Sequence, residues 1–233
     1  DVYKRQAQDK GLVNINTPVF NYLGNGWSAA PVAKESQITL RHLLTMTSGF
    51  NDKPAAPCDN ESTAASCLQY LTDTGNRWAY HTGAYQQLQG IITAASGSSI
   101  NVFTNANINN RIGMTGLWVN GVYYSKARSM ARFGLLALNK GVWASDSILK
   151  SRIYWNSMIN TSQNYNDAYG YLWWLNGKSS FLAPGLQLVF NGSLVPNAPP
   201  DMFAALGKND QKIYVVPSKG LVVIRVGESA YGV

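Results

Sequence analysis

The 233 residues carry 19 Lys and Arg against 12 Asp and Glu, a formal charge of +7. Charged side chains make up only 13% and aromatics 12%, which excludes a disordered, self-repelling chain and points to one large domain, or two interleaved lobes, with a substantial core. The basic residues are spread too thinly to form the dense stripe that nucleic acid requires, and no run approaches the ~18 apolar residues of a membrane span.

The chain opens DVYKRQAQDKGLVNINTPV. From Ala7 it reads as the last turn of a helix, stopped at Gly11 because glycine tolerates the left-handed angles that end helices, with Pro18 in the loop beyond. Residues 1–6 have no apolar periodicity and match, in one frame, the translated transposon-end adapter of shotgun DNA libraries. They are set aside as non-native, which removes Lys4, Arg5 and Asp1 and leaves a charge of +6. The domain is then expected over 7–233, entered part-way through a gene.

The next element is a short buried helix, with Thr39 as its cap, Leu40, Leu43 and Leu44 on helical spacing, and a stop at Ser48–Gly49. Cys58 and Cys67 follow in a Pro- and Asn-rich loop. They either close that loop as a disulfide, which implies an oxidising compartment, or remain thiols; their spacing and the lack of nearby His argue against zinc. The stretch ASCLQYLTDTG predicts a helix closing at Gly75. GAYQQLQGIITAASG predicts another, with Tyr85, Leu88, Ile92 and Ala95 on one face and a stop at Gly97. SKARSMARFGLLALNKG predicts a third, capped by Ser125, with Met130, Phe133, Leu136 and Ala137 inward. In the tail the period changes: MFAALG, QKIYVVP and GLVVIRV read as short antiparallel strands, with PSKG as the turn between the last two. Helices followed by antiparallel strands make an α+β architecture, a sheet covered by helices.

The chemistry is not announced by any common hydrolase motif. There is no G-x-S-x-G elbow, no H-E-x-x-H and no phosphate-binding loop. His42 and His81 are the only histidines; both suit core or surface positions, and no Ser-His-Asp triad can be drawn.

Five segments, ITLRHLLTMTSGF, GNRWAYHTGAYQQLQGII, YYSKARSMARFGLLALNKGVW, YGYLWW and FAALGKNDQKIYVVPSKGLVVI, occur in an order that resembles the serine β-lactamase-related family. That family includes class C β-lactamases, D-alanyl-D-alanine carboxypeptidases, esterases and 6-aminohexanoate-dimer hydrolases. The resemblance implies a β-lactamase/transpeptidase-like fold, an antiparallel sheet flanked by helices plus a helical lobe, here incomplete at both ends. It also implies an acyl-enzyme mechanism. A serine of a Ser-x-x-Lys pair is the nucleophile, a tyrosine of a Tyr-x-Asn motif relays protons, and a strand-edge N–H joins the serine's own N–H to hold the oxyanion.

Carried onto this sequence, WAYHTGAY puts Tyr80 at the catalytic tyrosine and Thr82 at the asparagine; a hydroxyl offers less than an amide's two-ended recognition. The family's Lys-Thr-Gly or His-Thr-Gly strand falls on Ala205-Leu206-Gly207, so Gly207 is its glycine and Lys208 supplies the oxyanion N–H through its backbone; the other register places the motif on Lys208-Asn209-Asp210. With Ala205 in place of a cation, the substrate leans toward esters or amides. Trp173 is the candidate wall of the substrate pocket. The one Ser-x-x-Lys of the chain, Ser147 to Lys150, comes after the tyrosine motif, out of family order, and is read as a helix cap. The nucleophile is expected about four turns upstream of Ala7, and the end of the chain is where relatives continue into a further helix. No metal or cofactor is implied. The partner is a small ester, amide or peptidoglycan-like molecule, met in the periplasm or outside the cell. The alternative is a relative that binds penicillin or senses peptidoglycan without hydrolysis.

Overall fold

The computed structural model describes residues 2–228. Helix α1 (Val2–Asp9) ends just before Gly11, which has φ 70°, as its sequence predicts. The helix nevertheless runs back through residues that the sequence analysis set aside. Gln6 is buried there, and its Nε2 donates to the Asn107 carbonyl at 2.6 Å. Two single turns, α2 (Phe20–Leu23) and α3 (Val32–Glu35), lead to α4 (Leu40–Leu44), whose three leucines are all buried. The Thr39 N–H donates to His42 Nδ1 at 3.1 Å, one arm of a capping box, so His42 is a cap. The helix stops at Thr45, earlier than expected, because Met46 turns to φ 60°.

The helix expected over ASCLQYLTDTG does not form. Only Ala65–Cys67 makes a 3-10 turn, after which the chain runs extended and Tyr70 bridges Phe50. Two long-range ties override the apolar spacing. Cys58 and Cys67 are joined as a disulfide, with Cα atoms 5.3 Å apart, and the Gly49 carbonyl accepts the N–H groups of both Leu71 and Thr72. A Cβ on Gly49 would stand 2.2 Å from the Thr72 carbonyl oxygen, and its φ is 83°, so only glycine fits.

Helix α5 (Thr82–Ser96) matches its pattern: Leu88 and Ile92 are buried, and Gly97 ends it in the left-handed conformation. After α6 (Ile100–Thr104), a π turn (Asn105–Asn109) and α7 (Asn110–Ile112) comes a hairpin the sequence analysis did not anticipate. Its strands, β1 (Gly116–Val119) and β2 (Val122–Ser125), are joined by Asn120-Gly121, a hairpin-turn pair. Helix α8 (Ala127–Leu138) therefore has Lys126 at its cap position, and Ser125 ends a strand. Ser147 is not a helix cap either: β3 (Val142–Trp143) pairs with β4 (Asp146–Ser147), and Ser151 caps α9 (Arg152–Met158) by accepting the Tyr154 N–H. With buried Ile148 and Leu149 between them and no helix beneath them, Ser147 and Lys150 do not form a one-turn pair.

The tail forms the predicted antiparallel strands and adds one more. A sheet ordered β10–β9–β8–β5 is built from β5 (Trp174–Leu175), β8 (Phe203–Leu206), β9 (Lys212–Val216) and β10 (Leu221–Arg225), with a separate hairpin of β6 (Ser180–Leu182) and β7 (Val189–Asn191) inserted between β5 and β8. Gly134 lets α8 lie close on β9 and β10, since a Cβ there would meet Val222 Cγ1 at 2.4 Å and Ile213 Cγ2 at 3.2 Å. Gly134→Ala should improve helix propensity by ~1 kcal/mol yet lower stability by about 1–3 kcal/mol through overpacking. Urea unfolding decides the sign; a more stable variant would refute the close approach.

Successive residues of β8 point to opposite faces. Phe203 joins the main core, which includes Leu88, Leu136 and Val215, whereas Ala204 joins a smaller cluster with Met46, Trp78, Tyr169, Trp174 and Leu182. That smaller, mostly aromatic cluster supports the candidate site.

Candidate active site

Residues 76–81 run extended into α5 and are held by the Ala79 N–H, which donates to the Met46 carbonyl at 2.9 Å. His81 ends the segment as the N-cap of α5, its Nδ1 accepting the Ala84 N–H at 3.2 Å. The ring is almost fully buried, and burial lowers its basicity although Asp52 pulls the other way, so it is a neutral acceptor. Both histidines thus serve helix N-termini, His81 as the N-cap of α5 and His42 from the third position of α4.

This framework holds Tyr80 in an aromatic socket. Its ring stacks on Trp174, with centroids 6.1 Å apart and planes 12° apart, and meets Tyr85, Tyr169 and Trp78 edge-on at 6.0, 6.3 and 6.4 Å. Tyr80 and Tyr85 lie close enough that Tyr85 reinforces the upward shift of the Tyr80 phenol. Burial, reinforced by Tyr85, pushes the Tyr80 phenol far above its usual range, and burial also raises Tyr85 and Tyr169.

These shifts set an alkaline limit. Above pH ~10 the tyrosines of the unfolded chain lose their protons while those of the folded chain keep theirs, so the native state binds more protons and stability falls as pH rises. The stability is fully present below that point. Melting temperature is expected to hold up to about pH 10 and then decline; a flat profile beyond it would contradict the buried phenols.

The second part of the site is the end of β8. Alternation turns Ala205 toward the main core and Leu206 toward the Tyr80 cluster. The strand ends at Leu206, and Gly207 continues in extended backbone, its N–H donating to the Gln211 carbonyl at 2.7 Å. Lys208–Asp210 form a tight turn with Asn209 at φ 54° and Asp210 at φ 65°. The Ala205-Leu206-Gly207 register thus runs along and off the strand, and the Lys208-Asn209-Asp210 register falls entirely in the turn. Asp210 is committed to ion pairs with Lys212 and Arg225, and Lys212 holds its carboxyl below the usual range. The Lys208 side chain points out and pairs with Glu61 at 2.8 Å.

Tyr80 and the Leu206 end of β8 pack on one aromatic cluster; Thr82 opens α5 two residues after Tyr80, and Trp173 lies elsewhere. It is a core residue, 2% exposed, stacked parallel to Phe133 and edge-on to Phe203. Trp174, not Trp173, lies on the Tyr80 side and stacks on it, because neighbouring residues entering a strand face opposite ways. Tyr85 and Tyr169 were likewise missed as site residues; the only sequence signal was the density of aromatics around Trp78 and Trp173. Among the described residues no cluster of His, Cys, Asp and Glu could hold a metal ion, and no helix is long and apolar enough to cross a membrane.

The Beta-lactamase family model matches residues 5–232. No curated protein sequence matches the chain. Among solved structures, a class C β-lactamase from Rhodobacter sphaeroides is 15% identical, with 96% of this chain and 75% of that one covered at a TM-score of 0.62. A penicillin-binding protein homolog from Caulobacter crescentus is 13% identical over 95% and 72% of the two chains, TM-score 0.64. Simvastatin synthase from Aspergillus terreus is 14% identical over 96% and 73%, TM-score 0.64. At these identities the likeness is one of fold, and three differently named proteins share it. The family match across nearly the whole sequence, together with a helix-flanked antiparallel sheet common to these structures, places the chain in the β-lactamase family, with the β-lactamase/transpeptidase-like fold.

Proposed function

We propose that this chain carries the proton-handling and oxyanion parts of a serine hydrolase that cleaves an ester or amide through an acyl-enzyme. The observation that carries the reading is the meeting of Tyr80 and the Leu206 end of β8 in one aromatic cluster. Chemistry at such a site needs a desolvated proton donor and a strand-edge N–H within one cleft.

The nucleophilic serine and its lysine are supplied by residues outside these 233. The serine Oγ adds to the substrate carbonyl as its proton passes to the lysine–tyrosine pair. The oxyanion is held by the serine N–H and the Lys208 N–H. Tyr80 then protonates the leaving alcohol or amine, and water releases the acyl group by the same route in reverse. The groups acting on the Tyr80 phenol in this chain are burial and Tyr85, neither a cation. The phenol is accordingly a donor by default and becomes a base only when an ammonium group lowers its pKa.

The substrate is a neutral ester or amide. Leu206 packs on the aromatic cluster beside Tyr80, an apolar setting that favours an uncharged group. The disulfide supports a periplasmic or extracellular setting. A penicillin-binding or peptidoglycan-sensing relative without turnover is the second reading, supported by the likeness of fold to a penicillin-binding protein homolog.

Intact-mass measurement after mixing with a p-nitrophenyl ester tests the proposal. The 233-residue chain is expected to remain unacylated. The protein translated from the longer source gene is expected to show a stoichiometric burst, with the acyl group on a serine preceding Ala7. An adduct on Ser147, or no burst from the longer protein, would overturn it.

A further inference from the structure

The loop closed by Cys58 and Cys67 touches both parts of the site. The Gly83 N–H, in the first turn of α5, donates to the Asn60 carbonyl at 2.8 Å. A Cβ on Gly83 would lie 2.0 Å from the Ser62 carbonyl oxygen, so loop backbone rests directly on helix backbone. One turn further on, Gln87 Nε2 donates to the Thr63 carbonyl at 2.9 Å. From the same loop Glu61 reaches the other way and pairs with the Lys208 ammonium at 2.8 Å. Asp59 stiffens the span between them, its Oδ1 accepting from the Glu61 N–H at 3.0 Å and the Ser62 hydroxyl at 2.7 Å. The loop is tied down at its far end as well, where Cys67 and Leu68 are buried.

We infer that this disulfide-closed loop is a strut that sets the 207–211 turn against the first turn of α5, with Glu61 as a positioning residue acting through Lys208. The inference rests on the reading of the Lys208 N–H as oxyanion donor. An oxyanion donor is useful only at a fixed distance from the reacting carbon. The turn carrying Lys208 is also held to the sheet, by Gly207 to Gln211, Asp210 to Lys212 and to Arg225 at the end of β10, and Gln211 to Gly227. Those bonds fix the turn to the sheet, and Glu61 is the side chain that links its outer side to the loop resting on α5.

Amide hydrogen exchange on the 233-residue chain tests this without requiring turnover. In Glu61→Gln, the amides of 207–211 should exchange about two- to five-fold faster, the range that an exposed ion pair supports, while the β1–β2 hairpin is unchanged. The reciprocal swap Glu61→Lys with Lys208→Glu should restore protection, since Lys208 acts through its backbone. Cys58→Ser with Cys67→Ser should speed exchange both in 207–211 and in the first turn of α5. Changes confined to 58–67, or a swap that restores nothing, would overturn the strut. If the Cys variant does not fold, the Glu61 pair, on exposed side chains, still decides. Should the longer protein prove inactive toward esters while the exchange pattern holds, the functional reading falls and the strut stands; the opposite pattern removes the strut alone.

Discussion

If a longer protein carries the proposed serine, Tyr80→Phe made in it is expected to slow ester turnover by about 10²–10⁴-fold, the usual contribution of a positioned general acid–base. Stability should change little. Phenylalanine keeps the stacking on Trp174 and the edge contacts with Tyr85 and Tyr169, and only the hydroxyl is lost, a change of at most about 0.5–1.5 kcal/mol. Both kcat for acyl transfer and the burst amplitude should be measured, alongside the melting temperature. A variant with full activity would remove Tyr80 from the mechanism and favour the binding relative. A variant that loses activity because it unfolds would show a melting shift far beyond one hydrogen bond, so the two outcomes separate.

Trp173→Ala should be the most destabilising of the substitutions considered, at about 3–5 kcal/mol, because the indole is enclosed between Phe133 and Phe203 and its removal leaves a large cavity. That is a substantial part of the 5–15 kcal/mol that holds a typical domain folded. Urea denaturation measures it. Trp173→Ala with near-normal stability but altered substrate affinity would restore the sequence expectation and contradict the core placement. Trp174→Ala is the control: it opens the socket under Tyr80, so its signature should include a change in kinetics as well as in stability.

The two tryptophans show what a linear pattern can and cannot convey. YGYLWW marks an aromatic strand, and alternation guarantees that one of Trp173 and Trp174 faces each way. Which of them faces the site depends on pairing with β8, where Trp174 lies opposite Ala204. The extended stretch after Cys67 is a similar case. Its apolar spacing resembles a helix, but the disulfide and the Gly49 carbonyl, both non-local partners, hold it straight.

Elements governed by their own few residues were legible from the sequence. Gly11 and Gly97 stop helices because their left-handed angles suit glycine, Thr39 with His42 caps α4, and the tail strands emerge from β-rich runs separated by a turn. The order of the five family segments likewise identified the fold, since topology is shared by relatives whose sequences have diverged. Tertiary structure alone decided the neighbours of each candidate group: Tyr80 on Trp174, and Lys208 paired with Glu61 across 147 positions of sequence. Caps and stops are short-range bonds within one turn of chain. The site is an intersection of distant segments, settled by which faces are buried together.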